Sequence, residues 1–240
     1  MDQPSKKDIK LVRSLLQKKF RKELGLFVVE GKKMTEESIQ SDFEVYAVFS
    51  TDPSFKSVYK DTILVSAKEM EQMSSMSTPS GYLAVLKSTS NSFQSPKGKV
   101  VLFLDGISDP GNLGTILRTA DWFGINEIYC SHDTVELYNP KTIQSTMGSI
   151  FRCSLMYCNA EDVLNTKDYE VYGAVLHGKN VLECTLESKR ILVIGSESHG
   201  IREEAMSYID QKITIPGGGG AESLNAAVAA GILMFSFVRT

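Results

Sequence analysis

The hydrophobic and polar positions of residues 6–21 follow the period of an amphipathic helix. Lysine and arginine occupy much of the remaining face. The apolar side chains of this stretch are Ile9, Leu11, Val12, Leu15, Leu16 and Phe20. Because apolar residues three and four positions apart share one helix face, the pattern predicts a helix with an apolar face and a basic face.

Short apolar runs follow this stretch and predict strands. The runs are LFVVE, VYAVFS, TILVS and YLAVLK, and polar, helix-prone stretches such as GKKMTEESIQ and SAKEMEQMSSM separate them. Strands that alternate with helices indicate an α/β domain, which we predict to span residues 1–90.

A segment rich in Ser, Asn, Pro and Gly then interrupts the pattern and predicts a linker over residues 91–98. Beyond it the apolar runs are stronger: VVLFLD, EIYC, YEVYGAVL, ILVIG and KITIP. Nearly continuous apolar runs are typical of parallel strands that are covered on both faces. Residues 99–240 are therefore predicted to form a second α/β domain with a parallel sheet. Its helices are predicted near residues 112–123, 139–148, 199–209 and 223–237.

Composition indicates the compartment and argues against some kinds of site. A hydrophobic content of 42% and a charged content of 23% are ordinary for a globular protein. No apolar run approaches the ~20 residues that span a bilayer, and the N-terminal MDQPSKKDIK lacks an apolar signal core. We therefore expect a cytoplasmic protein without a membrane partner. The four cysteines form no CxxC pair and the three histidines are scattered, so we expect reduced thiols and no metal site.

Charge is distributed unevenly along the chain. The net charge is −3, but residues 1–98 carry a net +3 and residues 99–240 a net −6. The dense basic stretch contains the candidate RNA-binding residues Lys6, Lys7, Lys10, Arg13, Lys18, Lys19, Arg21 and Lys22. A basic arm on an acidic body suits a phosphate backbone, and a solvated helix face explains the same residues equally well.

Three of the predicted strands end in unusual loops, at the edge where open parallel sheets bind ligands. In the first loop, after Asp105, Asn112 is placed to cap the following helix and Arg118 lies six residues further on. The glycines do not match the dinucleotide-binding spacing GxGxxG, and no Walker lysine follows. A tight turn, a capped helix and a surface arginine account for this loop about as well as a binding site does.

The second loop places Glu197 between Gly195 and Gly200, directly after a buried strand. Packing gives little reason for a carboxylate at this point. The structural alternative is a carboxylate that interacts favourably with the dipole of a helix N-terminus.

The third loop contains four consecutive glycines, residues 217–220, after the strand KITIP. Glycine permits close approach and positive φ, so the run predicts a backbone that another group approaches closely. Ser223 is placed to cap the alanine-rich helix that follows. The structural alternatives are a plain cap, a surface Asn225 and a core helix.

Together the three loops resemble the motifs of the SpoU (TrmH-type) RNA ribose 2′-O-methyltransferases of the SPOUT superfamily. The motifs are Asn112-Leu-Gly114-x-x-x-Arg118, then Gly195-x-Glu197-x-x-Gly200, then Ile215-Pro216 followed by Ser223-Leu224-Asn225. Their order and spacing agree over residues 99–240. The N-terminal part, with LFVVEGKKMTEESI, is similar to the substrate-binding domain of many members, which has a fold like ribosomal protein L30e.

The resemblance implies a fold, a cofactor and an assembly. The C-terminal domain would contain a deep trefoil knot, although true knots are very rare. It would bind S-adenosylmethionine through main-chain groups of the knotted loops, with the glycine run beside another loop and the cofactor. The implied cofactor-binding residues are His177, Gly178, Gly195, Gly200, Ile215 and Leu224. Members of the family are homodimers, in which the C-terminal helix usually packs at the interface.

The implied reaction is metal-free methylation of a ribose 2′-hydroxyl in rRNA or tRNA. The implied catalytic residues are Asn112, Arg118, Glu197, Ser223 and Asn225. Arg118 would either remove the hydroxyl proton, or bind the target phosphate while phosphate or water accepts the proton. A guanidinium pKa above ~12 makes the second role physically easier, but the sequence does not decide between them. Structured RNA would be positioned by phosphate contacts with the basic helix.

Two other classes of function are alternatives. A related RNA-binding protein that has lost catalysis and acts in ribosome assembly would lack Arg118, Glu197 or Asn225, and all three are present. A Rossmann-type dehydrogenase needs GxGxxG and an acidic residue after the next strand, and neither is found.

Overall fold

The structure is a computed structural model that describes residues 4–89 and 93–239. The α-helices are α1 (Lys6–Ser14), α2 (Lys18–Leu24), α3 (Lys32–Gln40), α4 (Ala67–Met73), α5 (Pro110–Trp122), α6 (Pro140–Thr146), α7 (Ala160–Leu164), α8 (Glu203–Met206) and α9 (Ala226–Val238). The strands are β1 (Leu26–Glu30), β2 (Val45–Ser50), β3 (Ile63–Leu64), β4 (Tyr82–Lys87), β5 (Val100–Asp105), β6 (Glu127–Cys130), β7 (Ser154–Tyr157), β8 (Glu170–Asn180), β9 (Arg190–Gly195) and β10 (Gln211–Thr214). Short 3₁₀ helices cover Pro53–Ser57, Ser149–Phe151 and Val181–Glu183.

The chain divides into two compact units, and one segment belongs to a different unit from the one predicted. The first unit contains residues 4–89 and 138–151, and the second contains residues 93–137 and 152–239. The prediction assigned 138–151 to the second domain from chain order alone. In the structure the ring of Tyr138 lies 4.4 Å from that of Phe27, and α6 packs on β1. These aromatic contacts hold the segment in the first unit.

The first unit is built on a four-stranded sheet with the order β1-β4-β2-β3. Strand β4 is antiparallel to β1 and to β2, whereas β2 and β3 are parallel. Helices α1 and α4 pack against each other, and their apolar faces join the sheet in one core. Its buried side chains are Val12, Leu15, Leu26, Val28, Phe49, Val65, Met70, Met73, Leu83 and Val85.

The predicted helix over residues 6–21 is two helices, α1 and α2. Ser5 and Asp8 form a capping box at the start of α1, and α2 ends at Gly25 with φ +62°. Between the two helices, Nη1 of the buried Arg21 donates to the carbonyl of Leu15 at 2.7 Å. Because this bond satisfies a carbonyl at the end of α1, it stabilises the break that the apolar pattern does not reveal.

The second unit contains a six-stranded sheet with the order β10-β8-β9-β5-β6-β7, in which every pairing is parallel. The predicted α/β fold with a parallel sheet is confirmed. Strand β7, with the sequence SLMY, was not predicted, and it contains no β-branched residue that would favour a strand. From β5 the chain builds outward through β6 and β7, and it then crosses over to β8 and β9. The loops after β5 and β9 therefore meet where the strand order reverses, which is the usual binding position in such sheets.

Strand β8 contains an irregularity opposite β10. Lys212 pairs with Gly173, but the next residue, Ile213, pairs with Lys179. Residues 174–178 therefore form a wide bulge toward the carboxyl end of β8.

Two predicted helix starts are wrong. Helix α5 is capped by Asp109, whose carboxylate accepts from the backbone of Asn112, so Asn112 lies inside the helix. Helix α9 is capped by Asn225 rather than by Ser223. Of the helix predicted over 199–209, only α8 forms. Among residues 4–89 and 93–239, no helix has the length and apolar content that a membrane crossing requires.

Candidate active site

Three polar side chains, one from each of the three loops, meet at the carboxyl edge of the parallel sheet. Oε1 of Glu197 accepts hydrogen bonds from Nδ2 of Asn112 at 3.0 Å and from Nδ2 of Asn225 at 2.6 Å. Nδ2 of Asn225 also donates to Oδ1 of Asn112 at 3.0 Å. Asn112 and Asn225 are 113 positions apart in the chain. The fold thus joins three of the five predicted catalytic residues in one hydrogen-bonded cluster, which we call the polar triad.

The N-terminus of α9 completes the triad. Oδ1 of Asn225 accepts from the backbone N–H groups of Ala227 at 3.0 Å and Val228 at 3.2 Å. The N–H of Ala226 donates to Oε1 of Glu197 at 3.1 Å. A carboxylate at a helix N-terminus is favoured by the helix dipole. Glu197 therefore does interact with a helix N-terminus, but with that of α9, which begins 29 residues further along the chain.

The remaining oxygen of Glu197 is available to a ligand. Glu197 is exposed, and within the part of the chain that the structure describes no donor reaches its Oε2. An anionic oxygen at the edge of the site can attract a positively charged group.

Arg118 does not join the polar triad. It lies on the exposed face of α5, and the described residues offer it neither a hydrogen bond nor an ion pair. Its guanidinium therefore keeps all five of its N–H donors for a ligand. Ser223, the fifth predicted catalytic residue, is exposed and likewise has no hydrogen bond among the described residues.

The loop that carries Glu197 is closed by its own backbone. The N–H of Ser196 donates to the carbonyl of Gly200 at 3.1 Å, and the reverse bond is 2.9 Å long. Gly200 has φ +66°, and a Cβ on Gly195 would lie 2.1 Å from the carbonyl carbon of Gly200. Both glycines are therefore required by the fold of this loop, which brings their main-chain groups to the edge of the sheet.

The predicted close approach of another loop to the glycine run is not found. A Cβ on any of residues 217–220 would meet nothing within 4 Å, and none of the four has a positive φ. The close approach occurs at other glycines of the unit. A Cβ on Gly178 would lie 2.7 Å from the carbonyl oxygen of Lys212, where β10 passes the bulge of β8.

The other predicted cofactor residues lie near the carboxyl ends of β8 and β10. Oγ1 of Thr214 donates to the carbonyl of Leu176 at 3.1 Å, which ties the segment before Ile215 to the bulge that contains His177. Leu176 is 64% exposed and Leu224, just before α9, is 46% exposed. Leucines left open beside main-chain polar groups offer a surface for a ligand that is partly apolar.

Comparison with known proteins agrees with this geometry. Residues 99–235 match the model of the SpoU rRNA Methylase family, and residues 6–84 match the MRM3-like substrate binding domain. The chain belongs to the SpoU rRNA methylase family. The family predicted from the three motifs is thereby confirmed, and with it the predicted class of enzyme, an RNA methyltransferase.

Individual relatives cover nearly the whole chain. The 23S rRNA (guanosine(2553)-2′-O)-methyltransferase RlmP of Bacillus subtilis is 30% identical over 226 residues, which is 91% of this chain and 90% of RlmP. The structure of a putative TrmH-family RNA methyltransferase from Porphyromonas gingivalis has a TM-score of 0.89 and 33% identity, and covers 98% of both chains. The AdoMet-bound rRNA methyltransferase of Sinorhizobium meliloti has a TM-score of 0.88 and 25% identity, covering 98% of this chain and 95% of its own.

Beside the SpoU motifs lies a charged cluster that the sequence interpretation missed. Nε of Arg202 donates to Oδ1 of Asp105 at 2.9 Å, and the backbone N–H of Arg202 donates to Oδ2 at 2.8 Å. Asp105 ends β5 and is 1% exposed. The available signal was an acidic residue at the end of an apolar strand, since a buried carboxylate requires a partner.

Two cavities of the SpoU unit bear on the position of the site. The larger, of about 410 Å³, is at the amino ends of β5, β6 and β9, on the opposite edge of the sheet from the polar triad. No predicted site residue lines it. The smaller, of about 190 Å³, is lined by Asp105, Asp133 and Arg202 among others. The chemistry of the motifs therefore lies on an exposed edge rather than in the larger cavity. Within the described residues, no group of three or more His, Cys, Asp or Glu is arranged to hold a metal ion.

The basic stretch of the first unit presents all but one of its predicted residues to solvent. The exposed residues are Lys6, Lys7, Lys10, Arg13, Lys18, Lys19 and Lys22. Arg21 is 6% exposed and binds the carbonyl of Leu15, so its prediction as an RNA contact is wrong.

Proposed function

We propose that this chain transfers the methyl group of S-adenosylmethionine to a ribose 2′-hydroxyl of rRNA or tRNA. The observation that carries the proposal is the polar triad, which joins residues of all three SpoU motifs around the N-terminus of α9. RlmP, which covers nearly the same length, is named for 2′-O-methylation of a guanosine in 23S rRNA. The intact triad and the free Arg118 argue against the alternative of an RNA-binding protein without catalysis.

The residues at the edge of the sheet fit S-adenosylmethionine. The cofactor supplies a methyl group on a sulfonium, which is already a good leaving group. Carbonyl oxygens of Gly195 and Gly200, which can each accept a second hydrogen bond, would bind its polar parts together with the main chain of the segment that contains Ile215. The exposed Leu176 and Leu224 would cover its apolar surface. The S. meliloti relative has this ligand bound. We include the predicted His177 and Gly178 because they lie in the bulge beside Leu176.

Glu197 would orient the cofactor and hold α9 in place. Its Oε1 fixes Asn112, Asn225 and the first turn of α9, while the free Oε2 faces solvent. A carboxylate close to a sulfonium lowers the energy of the bound cation. Because the three side chains of the triad hydrogen-bond to one another, the site is organised before substrate binds.

Arg118 would bind and orient the RNA. An unpaired guanidinium presents two parallel N–H donors to a phosphate, which fixes both distance and angle. Holding the 2′-oxygen in line with the methyl carbon provides most of the rate enhancement for such a transfer. The hydroxyl proton would leave to phosphate or water, because guanidinium does not readily lose its own proton.

The first unit would bind structured RNA, and it matches a substrate-binding domain. The exposed lysines and Arg13 of α1 and α2 would contact phosphates of the RNA. We propose that the first unit has the L30e-like fold and binds RNA, and that the second unit, residues 93–137 and 152–239, carries out catalysis. Ribosomal or transfer RNA as substrate also supports a cytoplasmic location.

We infer that the second unit is knotted. The chain leaves β10 at the edge of the sheet and then returns to place Asn225 against Glu197, which follows β9. The returning segment therefore passes the loops at the carboxyl ends of β8 and β9. In the SpoU family the corresponding segment threads through a loop. An experimental structure in which residues 215–239 lie outside the loop after β9 would contradict the knot.

We further propose a homodimer through α9. The exposed apolar side chains of α9 are Val228, Ile232 and Phe235, whose spacing places them on one face of the helix. Trp122, 83% exposed, extends this surface, because the neighbouring Phe123 packs on Phe235 at 6.0 Å. A contiguous apolar surface of this kind is typical of a protein interface. Sedimentation should give the mass of two chains for the native protein and of one chain for Ile232→Glu.

The reaction is tested by combining binding and turnover. Calorimetry should show that S-adenosylmethionine binds and that NAD does not. Arg118→Ala should keep the affinity for the cofactor but lower kcat/KM for RNA by at least about a hundredfold, since it removes the orienting charge–phosphate bond. Unchanged turnover of Arg118→Ala would refute the proposed role. Comparing 2′-O-methyl sites in total RNA from cells with and without the gene would identify the target nucleotide.

A further inference from the structure

The charged cluster around Arg202 lies at the base of the loop that carries Glu197. We define this Glu197 loop as residues 196–201. Arg202 follows it directly, and both its backbone N–H and its Nε bind the carboxylate of Asp105. Nη2 of Arg202 contacts the same carboxylate. Because Asp105 is almost fully buried, its charge is compensated by this arginine rather than by water.

The same aspartate also lies beside the other end of the Glu197 loop. Asp105 is the register partner of Gly195 in the parallel pairing of β5 and β9. Between these two anchors, the paired hydrogen bonds of Ser196 and Gly200 close the loop. Both ends of the loop thus lie at one residue, which leaves Glu197 little freedom to move relative to the sheet.

A second carboxylate fixes the orientation of the guanidinium. Asp133, in the segment after β6, lies 3.1 Å from Nη1 and 3.1 Å from Nη2 of Arg202. Partial burial opposes ionisation of Asp133, but hydrogen bonds from Ser131 and the charge of Arg202 outweigh it and lower its pKa. The hydrogen bond to Asp105 raises the pKa of Arg202. The side chains of Asp133 and Arg202 are therefore charged at neutral pH.

We propose that Arg202 is a positioning residue of the methyltransferase. By binding Asp105 and Asp133 it fixes the Glu197 loop, and through that loop it fixes the contact of Glu197 with Asn112 and Asn225. The role rests on the proposed function, because the loop matters for catalysis only if the triad orients S-adenosylmethionine. Without the hydrogen bonds of the Arg202 guanidinium to the two aspartates, Glu197 would still be present but would no longer be held against Asn112 and Asn225.

The test compares Arg202→Lys with the control Arg152→Lys in the full chain. Arg152 pairs with Asp121 through Nε at 2.9 Å and Nη2 at 2.8 Å, so its replacement removes a similar arginine fork away from the loop. Lysine keeps the positive charge but cannot form a fork, and it does not leave Asp105 as an uncompensated buried charge. Amide hydrogen exchange over 196–201 and calorimetric binding of S-adenosylmethionine are measured on both variants.

In Arg202→Lys we expect exchange over 196–201 to accelerate about tenfold, and the Kd for S-adenosylmethionine to rise about tenfold, because a charge-assisted fork is lost. The binding stoichiometry should stay at the native value, which excludes a loss of folded protein. Arg152→Lys should change neither quantity. Unchanged exchange in Arg202→Lys, or faster exchange with an unchanged Kd, would overturn the proposal.

A second variant covers the case in which Arg202→Lys does not fold. Asp133→Asn removes only the exposed partner of Arg202 and should move both quantities in the same direction by about threefold. No change in Asp133→Asn would overturn the proposal in that case. Hydrogen exchange needs neither cofactor nor RNA, so it reports on Arg202 independently of the reaction. If the native protein failed to bind S-adenosylmethionine, the proposed function would fail, and with it the positioning role, even if exchange showed that Arg202 fixes the loop.

Discussion

Asn225 uses both ends of its side-chain amide. The oxygen caps α9, and the nitrogen donates to Glu197 and Asn112. The sequence identified Asn225 through its motif, but it assigned the cap to Ser223 because serine is a common cap and stands two residues earlier. Propensity alone does not separate two capping residues so close together. Only the tertiary contact with Glu197 decides where the helix begins.

Asn225→Ala should therefore lower the free energy of unfolding by about 1 kcal/mol through the lost cap, whereas Ser223→Ala should change it by less than about 0.5 kcal/mol. Denaturant unfolding of both variants measures the difference. A larger loss in Ser223→Ala than in Asn225→Ala would contradict the observed helix start.

The glycines show the same limit of sequence reasoning. Four consecutive glycines attract attention, yet residues 217–220 have open space around every Cβ position. The single Gly195 is the one that its own loop leaves no room to replace. A steric requirement for glycine depends on which atoms lie close to it in the folded chain, and a run of glycines in the sequence does not show this.

Gly195→Ala should destabilise the protein by about 1–3 kcal/mol, because the added methyl meets backbone atoms of Gly200 that have no room to move. Gly218→Ala should leave stability within about 0.5 kcal/mol of the native value. Thermal unfolding of the two variants checks this order, and equal melting temperatures would show that the Glu197 loop is not closed as observed.

Among the helices and strands, strong apolar patterns predicted most strands correctly. The predictions were wrong where contacts between residues distant in the sequence determine the structure. The apolar runs of β5, β6 and β9 were recognised, whereas β7, which contains no β-branched residue, was missed. The apolar period of residues 6–21 continues across the break at Leu15. The pattern does not reveal that break, because it depends on the hydrogen bond from Arg21.

The buried Arg21 and the exposed residues of the basic stretch can be distinguished by experiment. Arg21→Ala should destabilise the first unit by about 1–3 kcal/mol, since it leaves the carbonyl of Leu15 without this buried donor. Lys22→Ala, at the exposed neighbouring position, should leave stability nearly unchanged. Urea unfolding measures both, and equal stability of the two variants would contradict the structural role of Arg21.

The exposed lysines should act on RNA instead. Replacing Lys18, Lys19 and Lys22 together by alanine should weaken RNA binding and reduce the slope of log Kd against log salt by about two to three. A control that replaces the exposed Lys60 and Lys68 changes the net charge in a different part of the unit. If both sets weakened binding equally, the basic surface of α1 and α2 would have no special role.

Because several thiols are buried, the stability of the whole protein should decrease at alkaline pH. Burial raises the pKa of Cys153 and of Cys158 to about 12, from an ordinary value of 9.0. Burial also raises the pKa of Cys130 and Tyr129. Between pH 9 and pH 12, Cys153 and Cys158 keep their protons in the folded chain but lose them in the unfolded chain. Stability is therefore fully present below pH 9 and declines as pH rises above it.

Denaturant midpoints should accordingly be similar at pH 7 and pH 8 and clearly lower at pH 10.5. The same burial should protect these thiols from alkylation at neutral pH. A midpoint that does not change between pH 8 and pH 10.5 would contradict the burial of these groups.

Most of the architecture of the molecule could be predicted, because three motifs in fixed order specify a family more tightly than any pattern of apolar residues. The membership of residues 138–151 in the first unit could not, since it depends on aromatic contacts such as that of Tyr138 with Phe27. The Arg202 cluster was missed because its partners are far apart in the chain.

Transfer of a labelled methyl group to RNA would demonstrate the proposed reaction. The purified protein is incubated with S-adenosylmethionine that carries a tritiated methyl group and with ribosomal and transfer RNA from cells that lack the gene. We expect label in RNA, recovered after digestion as a 2′-O-methylnucleoside, and loss of that label with Arg118→Ala. Label on a base, or no label on any RNA, would contradict it.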